Sequence, residues 1–257
     1  MQRGPFRIGI IGISTIETPK VTRAINVSDL RFIDPAPVVS ERAKALRTQG
    51  ANVIVVTGHM GGFCRNGVCE GEIFDMVNRL TTPVDVVVSG HSHSLINTTL
   101  RGVPIVQARS RGEAIEVVDL AVGDATGRVA GSIGASRVIS AAVLDVMSDT
   151  IAPDPQAARI ARRAVDAVAG MIAEPVGRIV ADIRRDGSQH ALGNLVADAM
   201  REAARSDIAV MNNGGIRANL LAGDVNFGRL YEVQPFGNTL YTLKVRGSDL
   251  GCVGISR

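Results

Sequence analysis

A chain of 257 residues, 46% hydrophobic and 21% charged, has enough apolar matter for one large or two modest packed domains and is not a disordered polymer. Its 28 Lys and Arg against 25 Asp and Glu leave a net charge of only +3, and its aromatics are six Phe, two Tyr and no Trp. That balance argues against a nucleic-acid binder that stacks bases on aromatic side chains, and it suits a small anionic substrate better than a polyanion. No apolar run approaches the ~18 residues of a membrane span.

In chain order, Ile8-Gly9-Ile10-Ile11-Gly12-Ile13 is a continuous apolar run, too short for a signal peptide, and reads as a strand buried on both faces. Asp34-Pro35 opens a helix that runs to Gln49 and closes on Gly50. Residues 53–56 form a second buried strand, which ends at Thr57-Gly58-His59-Met60-Gly61-Gly62. Residues 70–80 are helical, with Ile73, Phe74, Val77 and Leu80 on one face. A third strand, 85–88, ends at Ser89-Gly90-His91-Ser92-His93. Short strands follow at 104–107 and 114–121, then a hairpin over 123–140. Pro153 and Pro155 precede a long helix to Ala173 whose apolar stripe is Ile160, Ala164, Val168 and Met171. After Pro175 come a strand (176–183), a helix (192–204), a strand (208–211), a glycine loop and two more strands, 230–233 and 239–245. The pattern is that of an α/β fold with a layered sheet, divided at the 150–175 helix.

Cys64 and Cys69 bracket a four-residue turn that a disulfide could span, which would place the protein in an oxidising compartment; two free thiols on a loop are the alternative. Cys252 is left over.

Three of the four histidines stand at strand ends: His59 after the second strand, His91 and His93 after the third. Ligands of open α/β sheets bind outside the carboxyl ends of the strands, and neutral imidazole is the commonest metal ligand. The three imidazoles are expected to converge, with His91 and His93 facing similar sides if Gly-His-Ser-His stays extended. In Met211-Asn212-Asn213-Gly214-Gly215-Ile216-Arg217 the glycines can present backbone N–H groups to an anion, and Arg217 adds a planar fork for carboxylate or phosphate. Taken alone, Asn-Gly-Gly is just as readily a simple turn. Phe236, between Pro235 and Gly237, is either a stacking surface for a flat group or a hinge-packing residue.

Together, Thr57-Gly58-His59-Met60-Gly61, Gly90-His91-Ser92-His93, Gly193-Asn194-Leu195-Val196-Ala197-Asp198-Ala199, Asn213-Gly214-Gly215-Ile216-Arg217 and Pro235-Phe236-Gly237-Asn238 stand in the order seen in the 5'-nucleotidase family. From about residue 7 to 249 the chain resembles these two-domain calcineurin-like metallophosphoesterases, which include periplasmic UDP-sugar hydrolases and 2',3'-cyclic nucleotide phosphodiesterases. The resemblance implies a metallophosphoesterase-like layered sheet with flanking helices over 1–150, a linking helix over 151–175 and a smaller α/β substrate domain over 176–257. It implies that His59 and His91 are ligands of one ion of a two-metal site and His93 of the other. Asn212 and Arg217 are then substrate contacts with Gly214 and Gly215 beneath them, Phe236 is one of two aromatics that sandwich the base, and Asn238 lies beside it.

The family's Asp-x-His strand, its bridging Asp and its Asn-His general-acid motif have no counterpart here, so no catalytic residue is assigned and the chain looks like the middle of a larger protein. Relatives often carry a substrate-binding Arg just upstream of Asn194; Gly187-Ser188-Gln189-His190 has none in register, although Arg184 and Arg185 are near. Two dications about 4 Å apart repel by roughly 17 kcal/mol at an effective dielectric of about 20. Three neutral imidazoles cannot offset that. Two divalent ions (Zn, Mn, Co or similar) are therefore expected in the complete protein and at most one in this chain.

The function implied is metal-dependent hydrolysis of nucleotides or other small phosphoesters, by a chain inactive alone. The alternatives are a non-catalytic nucleotide- or phosphate-binding remnant and a related hydrolase of a non-nucleotide ester. The expected partner is the small substrate, with no nucleic acid, membrane span or protein partner. The expected location of the complete protein is periplasmic or extracellular.

Overall fold

Alternate residues of the apolar runs at 8–13 and 53–56 point to opposite faces of one sheet, and the two faces are sealed to different degrees. In the computed structural model, which describes residues 1–123, 127–132, 137–140 and 154–250, the chain divides into two compact units, Met1–Ile151 and Ala152–Arg257. The first unit runs β1 (Gln2–Arg3), β2 (Phe6–Ser14), α1 (Thr18–Val21), α2 (Pro35–Thr48), β3 (Val53–His59), β4 (Phe63–Arg65), β5 (Val68–Glu70), α3 (Glu72–Asn78), β6 (Val86–Val88), β7 (Leu95–Leu100), β8 (Val103–Ala108), β9 (Ala114–Val117), β10 (Leu120–Val122), β11 (Val129–Ser132) and β12 (Arg137–Ser140).

Its main sheet has the order β1-β2-β3-β6-β8-β7. The four inner strands are parallel and the two edge strands antiparallel to their neighbours. One face is closed: Ile11, Ile54, Val56, Val87 and Ile105 pack with Val39 and Ala43 of α2 and with Ile73, Phe74 and Val77 of α3. On the other face Ile10 is 52% exposed and Val88 40%. The expectation that β2 is covered on both faces is thus corrected. Its side chains alternate, and only the face carrying Ile11 meets the helices.

Helix α2 starts where the sequence marks it. Asp34 Oδ1 accepts the Ala36 amide at 3.1 Å, Pro35 takes the first turn, and Gly50 follows the helix with φ +87°. From the last turn, Arg47 donates to the carbonyls of Ala51 and Asn52 and to Asp85 Oδ2, which also accepts the Ile54 amide. One largely buried ion pair so ties α2, β3 and the start of β6 together.

The hairpin expected over 123–140 is corrected in its pairing. β10 pairs with β11, whereas β12 turns away to pair with β9, which offers it a four-residue antiparallel register from Ala114↔Ser140 to Val117↔Arg137. Residues 124–126 and 133–136 of that segment lie outside the described residues.

The second unit contains α4 (Pro155–Ile172), β13 (Pro175–Ile179), α5 (Ala191–Ala204), β14 (Gly223–Asn226), α6 (Phe227–Val233) and α7 (Gly247–Leu250). Its core is Leu192, Ile216, Leu220, Val225 and Val233. Several expectations are corrected here. The strand read over 176–183 stops at Ile179, with Val180 95% exposed, and resumes only as an isolated bridge from Ile183 to Leu220. Residues 230–233 lie in α6: Asn226 Oδ1 accepts the Arg229 amide at 3.0 Å and starts a helix there. Residues 208–211 and 239–245 adopt no strand pairing, and their apolar side chains Val210, Tyr241 and Leu243 are exposed. β-rich composition makes no strand without a neighbouring ladder. The stripe on α4 is also exposed, Ile160 by 63% and Met171 by 53%. The boundary at 150–153, Cys252 and the tail from 251 lie outside the described residues.

Candidate functional site

In the first unit His59 is the last residue of β3 and His91 follows β6, its neighbour in the sheet. The two strands are parallel, so both histidines emerge at carboxyl ends. His91 Nδ1 lies 2.9 Å from His59 Nε2, with the rings edge-to-face at 4.6 Å between centroids. Both are exposed. Glycine is required beneath them: a Cβ on Gly58 would lie 2.6 Å from the Ile13 carbonyl oxygen. The His59 carbonyl accepts the Thr15 amide at 2.9 Å, and the buried Thr15 hydroxyl bonds the Glu72 carboxylate at the start of α3.

His93 is exposed two residues farther on. Gly-His-Ser-His is not extended, so the condition under which its histidines were expected to face similar sides is not met: His91 has φ +72° and His93 φ +55°. Such left-handed backbone is uncommon outside glycine and concentrates at functional sites. The structure brings the imidazoles of His59 and His91 into contact. Among the described residues no three His, Cys, Asp or Glu side chains are grouped to hold an ion.

The pair itself suits a metal. Two ring nitrogens 2.9 Å apart are donors of the kind that would hold a first-row divalent cation. Without an ion one imidazole must donate its N–H to the other.

The open question at Cys64 and Cys69 is answered by a disulfide between directly paired residues of the β4–β5 hairpin. This hairpin follows Gly61-Gly62 and so stands beside the His59 segment. Sequence reading missed a cluster of polar side chains around Gln107, the buried polar residue at the end of the apolar strand β8. A single amide in Val103-Pro104-Ile105-Val106-Gln107 was the available signal.

In the second unit Asn212 leads into a 3₁₀ turn over Asn213–Gly215, closed by the Gly215 amide on the Asn212 carbonyl at 3.0 Å. Gly215 is buried, while Asn212 and Gly214 are exposed. The turn is fixed to a neighbouring loop by Asn213 Nδ2 donating to the Ser188 carbonyl at 2.7 Å. Arg217 donates from Nη1 to the Gly214 carbonyl at 3.0 Å, and its guanidinium stands 5.9 Å from the centroid of the Phe236 ring. The Arg217 amide bonds the Val233 carbonyl at the end of α6, which brings Phe236 within reach. Phe236 is 47% exposed, so it is no core residue. Asn238 is exposed two residues on. Of the arginines near the 187–190 stretch, Arg184 pairs with Asp182, and Arg185 donates to the Ile216 carbonyl at 2.7 Å, beside Arg217. His190 takes a structural role: its Nδ1 accepts the Gly193 amide at 2.8 Å and caps α5.

Known proteins resemble the chain along most of its length. Residues 168–253 match the 5'-nucleotidase C-terminal domain. Across 95% of its length the chain is 33% identical to endonuclease YhcR of Bacillus subtilis, covering 20% of that protein. It is 25% identical to protein UshA of Yersinia enterocolitica, again over 95% of the chain and 51% of the relative. A 5'-nucleotidase precursor of Thermus thermophilus superposes with a TM-score of 0.69 at 27% identity, over 92% of this chain and 48% of the other. The chain resembles the 5'-nucleotidases along most of its length. Its mixed α/β architecture is that of the 5'-nucleotidases, and it spans between a fifth and a half of the length of these relatives. The 5'-nucleotidase family is one of phosphoester hydrolases generally dependent on divalent metal ions.

Proposed function

We propose that the chain is part of a metal-dependent phosphoester hydrolase of 5'-nucleotidase type. The observation that carries the reading is the contact of His59 and His91 at 2.9 Å on adjacent parallel strand ends. In this reading the two imidazoles are neighbouring ligands of one divalent ion, and His93 serves a second ion with ligands from elsewhere. Such ions polarise the phosphoryl group and generate a hydroxide nucleophile. In the second unit Arg217 and Phe236 take the nucleotide, the guanidinium meeting an anionic oxygen and the ring a base. Asn212, Gly214, Gly215 and Asn238 line the same contact region. In this reading the domains are 1–150 and 176–257, with the segment 151–175 as the link between them.

The Cys64–Cys69 disulfide supports a location in an oxidising compartment such as the periplasm or cell exterior. Among the described residues no helix is long and apolar enough to cross a membrane.

With two imidazoles in contact and, among the described residues, no third ligand grouped with them, the chain is expected to hold one ion at most and to turn over nucleotides near background. The test combines two assays of this chain with Mn²⁺ or Co²⁺ present. Phosphate release is followed from AMP, UDP-glucose and a 2',3'-cyclic nucleotide, and AMP binding is measured by calorimetry. Release above background that His91→Ala abolishes supports the hydrolase and refutes the inactivity. Background release with AMP binding weakened by Arg217→Ala supports the two-site reading. The absence of both AMP binding and phosphate release contradicts it.

A further inference from the structure

We propose that Gln107 is the positioning residue that holds His59 and His91 in contact; the consequence drawn for metal rests on the reading of those histidines as ligands. Gln107 is 2% exposed in a strand otherwise buried as apolar surface. A buried amide is costly unless its donors and acceptor are all bonded. Here they are, and every partner belongs to a histidine-bearing segment.

Gln107 Nε2 donates to the Ser94 carbonyl at 2.8 Å and to Ser92 Oγ at 2.9 Å. The Ser94 carbonyl can only accept, which fixes the orientation of the amide. Ser92 Oγ, with one proton to give, passes it to the Gly62 carbonyl at 2.7 Å, and Ser94 Oγ does the same at 2.7 Å. Ser89 Oγ shares its proton between the Met60 carbonyl at 2.7 Å and Gln107 Oε1 at 3.0 Å. The chain of bonds has a consistent direction from end to end. Ser89, Ser92 and Ser94 bracket His91 and His93, while Met60 and Gly62 directly follow His59. One side chain thus references both imidazoles to each other.

Two further facts show that the clamp is needed. His91 and His93 both hold left-handed backbone, which persists only where the surroundings over-determine it. The Ser92 turn also sits so close to the partner loop that a Cβ on Gly61 would lie 2.9 Å from that of Ser92. A small loosening of the serines therefore opens a path for the histidine turn to relax away from His59.

The experiment uses the whole chain with ¹⁵N-labelled imidazoles. The scalar coupling across the His91–His59 hydrogen bond is recorded by NMR without metal, and Co²⁺ uptake is then titrated. The coupling is expected in the wild type and lost in Gln107→Leu, while thermal unfolding stays cooperative. Co²⁺ affinity is expected to fall by about 10- to 100-fold, as for removal of outer-shell partners of metal ligands. If Gln107→Leu does not fold, the Ser92→Ala/Ser94→Ala double variant, which cuts the same bonds from the loop side, is expected to lose the coupling too. A coupling that survives these changes, or that is absent from the wild type, overturns the proposal; a merely structural Gln107 would lower the melting temperature and leave the coupling intact. A coupling that depends on Gln107 in a wild type that takes up no Co²⁺ supports the positioning role and refutes the metal reading.

Discussion

Arg217 donates from Nη1 to the Gly214 carbonyl, and the Phe236 side chain beside it is about half exposed. A charge-assisted bond from Arg217 to a nucleotide phosphate is worth about 1.5–3 kcal/mol. Arg217→Ala is therefore expected to weaken AMP binding by roughly 10- to 150-fold, read by calorimetry, and unchanged affinity would assign Arg217 to holding the glycine turn. Glu116 on β9 gives a second prediction. Both its carboxylate oxygens are buried without a close hydrogen bond, and burial pushes its pKa up from 4.5 to about 7, the nearby Gln107 backbone N–H countering only in part. The folded state thus holds a proton that the unfolded state has released between pH 4.5 and 7. Stability from this group is fully present below the lower value and declines as pH rises through the upper one. Urea unfolding is expected to show that decline in the wild type and a flatter profile in Glu116→Gln; equal profiles would place the Glu116 carboxyl in water.

Elements in the first unit are held by a few ties that join neighbours in space. Asp85 Oδ2 meets both Arg47 and the Ile54 amide, so Asp85→Ala leaves a largely buried guanidinium without its counter-charge. Loss of one partner of a buried pair costs on the order of 3–5 kcal/mol, and chemical denaturation of the variant measures it. A loss under about 1 kcal/mol, typical of surface pairs, would mean that Arg47 needs only its carbonyl partners. The hairpin disulfide closes a loop with a sequence separation of 5. By chain entropy such a short loop is worth about 2 kcal/mol, a loss expected on Cys64→Ser/Cys69→Ser replacement. Much of this order could be read in advance, because local signals there agree with tertiary contacts. The Asp34 cap, the Gly50 stop and the spacing of Ile73, Phe74, Val77 and Leu80 mark α2 and α3, and those four side chains are all buried. Where local signals lacked a partner in space, the reading failed. Residues 239–245 have strand composition and no ladder, and Leu230 and Val233 fit a helix turn once Asn226 caps it.

At the scale of the whole molecule, two compact units each carry one of the two candidate groups of site residues. Motif order was enough to single out both groups, since histidines at parallel strand ends and an Arg after a glycine turn are visible as residue types. The contact between His59 and His91 was also foreseeable from the sheet. The left-handed backbone of His91 and His93 was not, because no residue type in Gly-His-Ser-His announces it, and Gln107, which bonds the serines between and beside them, is far away in sequence. The account stands on the His59–His91 pair as neighbouring ligands of one ion. The most direct measurement is calorimetric titration of Co²⁺ or Mn²⁺ into the chain and into His59→Ala and His91→Ala. One ion per chain in the wild type, lost in both variants, is the predicted result. Equal uptake by all three proteins would contradict it.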